Sequence, residues 1–305
     1  DPAPFEMDPE TPINQWYLRN REGSPLMVDD WEQFRDPHKL TYKEYVATQR
    51  DRETFVDGLI DAAESSHADR QLSPGWVATL RDLLVPLRFP LHALQMTALY
   101  IGQMAPSSFI TNCAYFQASD ELRRIQRIAY WTKVLANAHG DEIAATDTAR
   151  SPWESAPQWQ PLRKVVEEML IAYDWGEAFT ALNLTVKPML DALINDQLSA
   201  LAAANGDQFL SQLLTEFNHD SRRSQDWSQA LVAYSVDRDP ALRSVFDGWL
   251  ARWQPAAKEA VDALASLFAN APNPLTAASI SDNVARQYAN FIEECGLTVH
   301  TQAPV

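Results

Sequence analysis

The chain has 305 residues and a formal net charge of −16, from 25 basic and 41 acidic side chains. That balance repels the phosphates of nucleic acid and of anionic membranes, and suits basic protein partners. No run approaches the ~18 uninterrupted apolar residues of a membrane span, and the opening DPAPFEMDPE lacks the basic start and apolar core of a secretion signal.

Hydrophobic residues make up 46% of the chain and glycines number only 9. Long Ala-, Leu-, Glu- and Arg-rich stretches then favour helix throughout. Cys113 and Cys295 match no zinc or redox spacing. Cys113 reads as a small buried apolar residue, and the pair fits a reducing cytoplasm.

Residues 1–40 read as an extended arm. Pro2, Pro4, Pro9, Pro12, Pro25 and Pro37 interrupt any helix, yet Phe5, Trp16, Tyr17, Leu26, Trp31 and Phe34 are anchors that a disordered tail lacks. Such an arm lays its aromatics on a partner or on its own bundle.

From Thr41 to His67 a helix is expected with Phe55, Val56, Leu59 and Ile60 facing inward. Ser73 can cap the next helix, with Pro74 in its first turn. An apolar helical hairpin follows, from about Val85 to Leu135. Leu87, Leu91, Leu94, Ala98 and Ile101 recur at helical spacing on its first limb, and Phe89, Ala93, Met96 and Tyr100 cover the other side. A helix apolar all round belongs inside a large bundle or an assembly. Pro106 suits the first turn of the second limb, which carries Ile110, Ala114, Ala118, Ile125 and Ile128. His139-Gly140 closes it.

Residues 140–160 read as a loop exposing Trp153 and Trp159. One helix is expected from Pro161 to Ala204, kinked at Pro188. Further helices fall near 207–235, 240–268 and 276–294. Trp227, Trp249 and Trp253 on these read as packing or interface residues, and His92 as a hydrogen-bonded core residue. The fold class is therefore all-α. Residues 41–270 form its main domain and residues 271–305 a C-terminal helical extension.

A di-iron site in such a bundle takes a Glu from each of two helices and a Glu-x-x-His from each of two more. Glu64/His67 and Glu216/His219 match that spacing. Orientation argues against both. Glu216 lies roughly 110° from the centre of the stripe Leu210, Leu213, Leu214 and Phe217, and His219 nearly opposite. Glu64 falls outside its stripe, and His67 falls at the edge. Glu121 and Glu168 do face inward, but Arg124 and Ile171 stand three residues on. An unliganded inward carboxylate needs a partner, such as Arg88 or Arg163. Neither a serine elbow nor a dinucleotide fingerprint is present. No residue is assigned to catalysis, cofactor binding or metal binding.

Several strings carry a family resemblance. They are Ser24-Pro25-Leu26 with Asp29-Asp30-Trp31-Glu32-Gln33-Phe34-Arg35-Asp36-Pro37, Leu91-His92-Ala93-Leu94-Gln95-Met96, and Gln103-Met104-Ala105-Pro106-Ser107-Ser108 with Asn112-Cys113. Tyr173-Asp174-Trp175-Gly176-Glu177-Ala178-Phe179, running on through Leu182-Asn183-Leu184 to Lys187-Pro188, adds a fourth, and the regions of Trp227-Ser228 and Trp249–Trp253 also fit. From about Pro12 to Phe268 the chain resembles the β subunit of the hydroxylase of bacterial multicomponent di-iron monooxygenases, nearest the toluene/o-xylene and alkene monooxygenase group.

The resemblance implies a ferritin-like helical bundle, an arm over residues 1–40 that wraps the partner subunit, and a non-catalytic structural or regulatory role. It implies an α2β2γ2 hydroxylase whose di-iron centre lies in the α subunit, served by an effector protein and by a Rieske ferredoxin with an NADH reductase. The reaction implied is hydroxylation or epoxidation of aromatic or alkene hydrocarbons. The alternative is a self-sufficient di-iron oxidase using Glu64/His67 and Glu216/His219.

Overall fold

A computed structural model describes residues 10–300. Phe5 and the prolines at 2, 4 and 9 lie outside them, as do residues 301–305. The described residues form helices and connecting turns, with no β-strand among them. In chain order the helices are α1 (Pro12–Tyr17), α2 (Tyr42–Ser65), α3 (Ala68–Gln71), α4 (Pro74–Leu83), α5 (Arg88–Met104), α6 (Ser108–His139), α7 (Thr146–Ser155) and α8 (Gln160–Met169). They continue as α9 (residues 175–204), α10 (Gln208–Glu216), α11 (Asn218–Arg238), α12 (Leu242–Ala265) and α13 (Ala277–Glu294).

Local chemistry sets the ends. Thr41 and Glu44 close a reciprocal capping box at the start of α2. Ser73 caps α4 with Pro74 at its first position. Ser107 caps α6, so Pro106 lies just ahead of the cap instead of inside the first turn. Gly140, at φ 129°, ends α6 in a conformation that L side chains avoid.

The α5/α6 hairpin is the centre of the core. Leu91, Leu94 and Ile101 are fully buried, as are Ile110, Ala114 and Ala118 opposite them. Phe179 and Leu182 of α9 pack into the same cluster. Each fully buried large apolar side chain contributes roughly 1.5–3 kcal/mol.

Several expectations are corrected. Residues 140–160 are not an open loop: α7 forms there, Trp153 stacks on Phe89 and meets Trp159 edge-on, and both indoles are buried. Their indoles supply enough apolar area to fold a segment whose prolines obscure its pattern. The expected helix from Pro161 to Ala204 breaks at residues 170–174, where Asp174 caps a new start by accepting from the amides of Gly176 and Glu177. Phe55 faces solvent, while Val56 takes the buried position. His92 is exposed and hydrogen-bonded to Gln95.

Pro188 sits between two widened π-helical turns, Leu182–Val186 and Ala192–Leu198. A proline has no amide hydrogen for the carbonyl four residues earlier, and widening the turn relieves the clash of its ring. That carbonyl, Leu184 O, instead accepts from the hydroxyl of Tyr288 on α13 at 3.0 Å.

Described residues 10–40 lie on this chain's own bundle. Leu26 and Phe34 are buried, Trp31 meets Trp175 edge-on at 5.2 Å, and Trp16 donates to the Tyr100 hydroxyl. A Cβ at Gly176 would come 2.8 Å from Leu26 Cβ, so the arm's close seat requires glycine there.

Candidate functional site: a buried charge network

The run Asp120-Glu121-Leu122-Arg123-Arg124 on α6 is the densest charge cluster facing inward. Successive residues on a helix point about 100° apart, so the run divides between two sides of α6. Leu122 points out to solvent.

Glu121 and Arg124 face α9, and both are almost wholly buried. The Lys187 ammonium donates to Glu121 Oε1 at 2.5 Å and to Asp191 Oδ2 at 2.8 Å. Arg124 donates to Asp191 Oδ1 at 2.6 Å and to Asn195 Oδ1 at 2.8 Å. Ser221 of α11 closes the set by donating to Asp191 Oδ2. Burial by itself would raise the Asp191 carboxyl, but Lys187 and Arg124 beside it hold it below the ordinary carboxylate range. Burial likewise opposes charge on Lys187, and the carboxylates of Asp191 and Glu121 hold its ammonium above the usual lysine value. Two cations therefore meet two carboxylates in the bundle's middle.

Arg123 faces the other way and ties α6 to α2, α10 and α11. It reaches Glu53 at 2.5 Å, Glu216 at 2.8 Å and Asp220 at 2.9 Å. Asp120 accepts from Tyr45, Gln49 and Arg223. At Glu216, burial outweighs Arg123 and raises the carboxyl, in keeping with an Oε1 that has no hydrogen-bond partner.

The sequence-derived candidates land apart. Glu64 and His67 line one depression near Tyr130, where His67 has already left the helix at φ 51°. Glu216 and His219 line a different groove between α2 and α10, and Phe217 breaks the helix between them. Neither pair has the single-helix geometry that the i, i+3 spacing requires. Glu216 is buried, contrary to its place outside the apolar stripe, because the stripe count does not register Arg123 across the interface. Glu168 is only half-buried, at the rim of a surface groove, and Arg163 pairs with Glu167. Glu121 finds Lys187 instead of Arg88 or Arg163. The missed signal was a lysine inside the apolar run Leu184 to Ile194, four residues before Asp191.

Among the described residues, no group of three or more His, Cys, Asp or Glu is placed to hold a metal ion. The donor chemistry at the centre does not fit iron, since both carboxylates are already neutralised by side-chain cations and no imidazole joins them. Also among the described residues, no helix is long and apolar enough to cross a membrane.

Comparison with known proteins agrees with this architecture. The sequence model of the Methane/Phenol/Alkene Hydroxylase family matches residues 16–239. The chain is 38% identical to the hydroxylase component subunit beta of the toluene-4-monooxygenase system of Ectopseudomonas mendocina, over 88% of this chain and 81% of that protein. It is 26% identical to an oxygenase component of phenol 2-monooxygenase from Pseudomonas sp. strain CF600, over 93% and 82%. A chain of toluene 4-monooxygenase, solved with toluene in its resting active site, superposes with a TM-score of 0.84 at 38% identity, covering 87% of each chain. The self-sufficient oxidase built on Glu64/His67 and Glu216/His219 finds no support in these relationships, and the chain belongs to the Methane/Phenol/Alkene Hydroxylase family, as a homologue of the hydroxylase β subunit.

Proposed function

We propose that this chain is the non-catalytic β subunit of a cytoplasmic di-iron monooxygenase hydroxylase. It assembles with an iron-bearing α subunit and a small γ subunit as α2β2γ2, and an effector protein and a Rieske ferredoxin with its NADH reductase serve the complex. The reaction is hydroxylation or epoxidation of an aromatic or alkene hydrocarbon in the α subunit. The identity to a hydroxylase subunit beta over most of the chain carries this reading.

The exposed side of the hairpin supports it. From Phe89 to Ser119 no Lys, Arg, Asp or Glu occurs, in a chain of net charge −16. Met96 and Leu99 on α5, and Tyr115 and Leu122 on α6, are each about two-fifths exposed. Helical spacing puts them on one face, and Leu170 extends it beside Met96. Depletion of charge with enrichment of Met and Tyr marks the core of a stable interface. The α subunit is the occupant assigned to this face.

Co-expression tests the reading. The chain alone should be colourless, free of iron and prone to aggregate. With the α and γ subunits it should purify in an iron-containing complex of equal chain numbers. Leu99→Glu should break that complex. An isolated chain that is monomeric, or that carries iron, is the opposite result.

A further inference from the structure

We propose that the Lys187 ammonium and the Arg124 guanidinium stand in for metal charge at the centre of this bundle. On this view the chain excludes metal because its carboxylates are occupied, and not only because histidines are lacking.

Three observations support it. Glu121 and Asp191 come from two helices and converge on Lys187, within 2.5 and 2.8 Å of one cationic atom. Arg124 occupies the place three residues after an inward Glu where the di-iron pattern has His. Glu121 Oε2, in a side chain 1% exposed, accepts no hydrogen bond and lies 3.6 Å from Arg124 Nη1. One oxygen of this buried carboxylate is thus left without a hydrogen-bond donor.

Burying two carboxylates is tolerable only with matching positive charge, and that charge is equally available from two side-chain cations or from one divalent ion. Oxygen-rich sites of this kind suit Mn2+. A polar cavity of about 180 Å³ reaches Asp191 from the surface. It is lined by Asp191 and Ser221 at its inner end and by Arg222, Gln225 and Gln287 farther out. The inference does not depend on which subunit covers the hairpin.

The test uses the full chain, purified with the subunits that accompany it, and Mn2+ as the probe. K187A/R124H removes both cations and supplies the Glu-x-x-His pattern. In chelator its apparent Tm should fall by roughly 6–15 °C. Adding Mn2+ should restore it, with about one more Mn2+ bound per chain than in the unmodified complex, which corrects for metal held elsewhere. E121L/K187M, which removes one charge of each sign and keeps the Asp191–Arg124 pair, should fold without metal and ignore Mn2+. Absence of extra Mn2+ and of any recovery in K187A/R124H, whether that variant folds or not, overturns the proposal. An equal Mn2+ response in E121L/K187M also overturns it.

Discussion

The hydroxyl of Tyr288 donates to the carbonyl of Leu184, the group that Pro188 leaves without its regular helical partner. This contact joins the C-terminal helix α13 to the widened turn of α9, where both residues are buried. A buried carbonyl left unpaired costs more than the bond itself contributes. Tyr288→Phe should therefore lower stability by about 1–2 kcal/mol. In a Pro188→Ala background the restored amide can serve Leu184, and the loss should shrink. Urea midpoints of the four proteins in this double-mutant cycle measure the coupling, and simple additivity would show that the two features are unrelated.

Gln117 is a second buried junction. Its Oε1 accepts from Asn183, Ser224 and Trp227, while its Nε2 donates back to Asn183. This one side chain links α6 to α9 and α11. Gln117→Leu keeps the volume and strands the donors, so about 3 kcal/mol should be lost. Thermal melts at matched concentration provide the check, and a Tm within the error of the unmodified chain contradicts the role assigned to the amide.

The ring of Tyr115 covers Gly102 so closely that a Cβ there would sit 2.4 Å from two ring carbons. Tyr115 is partly exposed and has room to swing outward. Gly102→Ala should therefore leave the isolated fold nearly intact while pushing the ring into the face assigned to the α subunit. Affinity for that subunit should fall about tenfold, because shape complementarity at an interface core is unforgiving. Quantitative pull-down alongside far-ultraviolet circular dichroism separates the two effects.

Asp191 makes the stability depend on acid. Its pKa is held below the ordinary 3.8, so its ion pairs contribute fully above that value and are lost as pH falls through the lower folded value. Glu216 and Asp207 act in the opposite sense: burial raises both, and protonating them in acid favours the folded chain. The Asp191 contribution is therefore read as a difference. Asp191→Asn should cost about 2–4 kcal/mol at pH 7, with the gap to the unmodified chain closing below pH ~4. Denaturant midpoints between pH 3 and 7 should show that convergence, whereas a constant gap would mean that folding leaves the acidity of the Asp191 carboxyl unchanged.

How much was legible in the sequence follows from the range of each interaction. The all-α class, the Ser73 cap, the Gly140 stop and the buried stripe Leu91, Leu94, Ala98 and Ile101 rest on spacing and on neighbours within a turn or two. The sequence therefore determined them without help. The strings shared with hydroxylase β subunits likewise sufficed to identify the family.

Only the tertiary structure decided the polar interior. Glu121 meets Lys187 across 66 positions, and Glu216 meets Arg123 across 93. Periodicity counts apolar residues, so it placed Glu216 outside and took Arg88 or Arg163 as partners for Glu121. Trp153 and Trp159 were likewise buried by distant helices that no local pattern specifies. A charge becomes an interior residue when an opposite charge arrives from another helix, and that meeting exists only once the chain has folded.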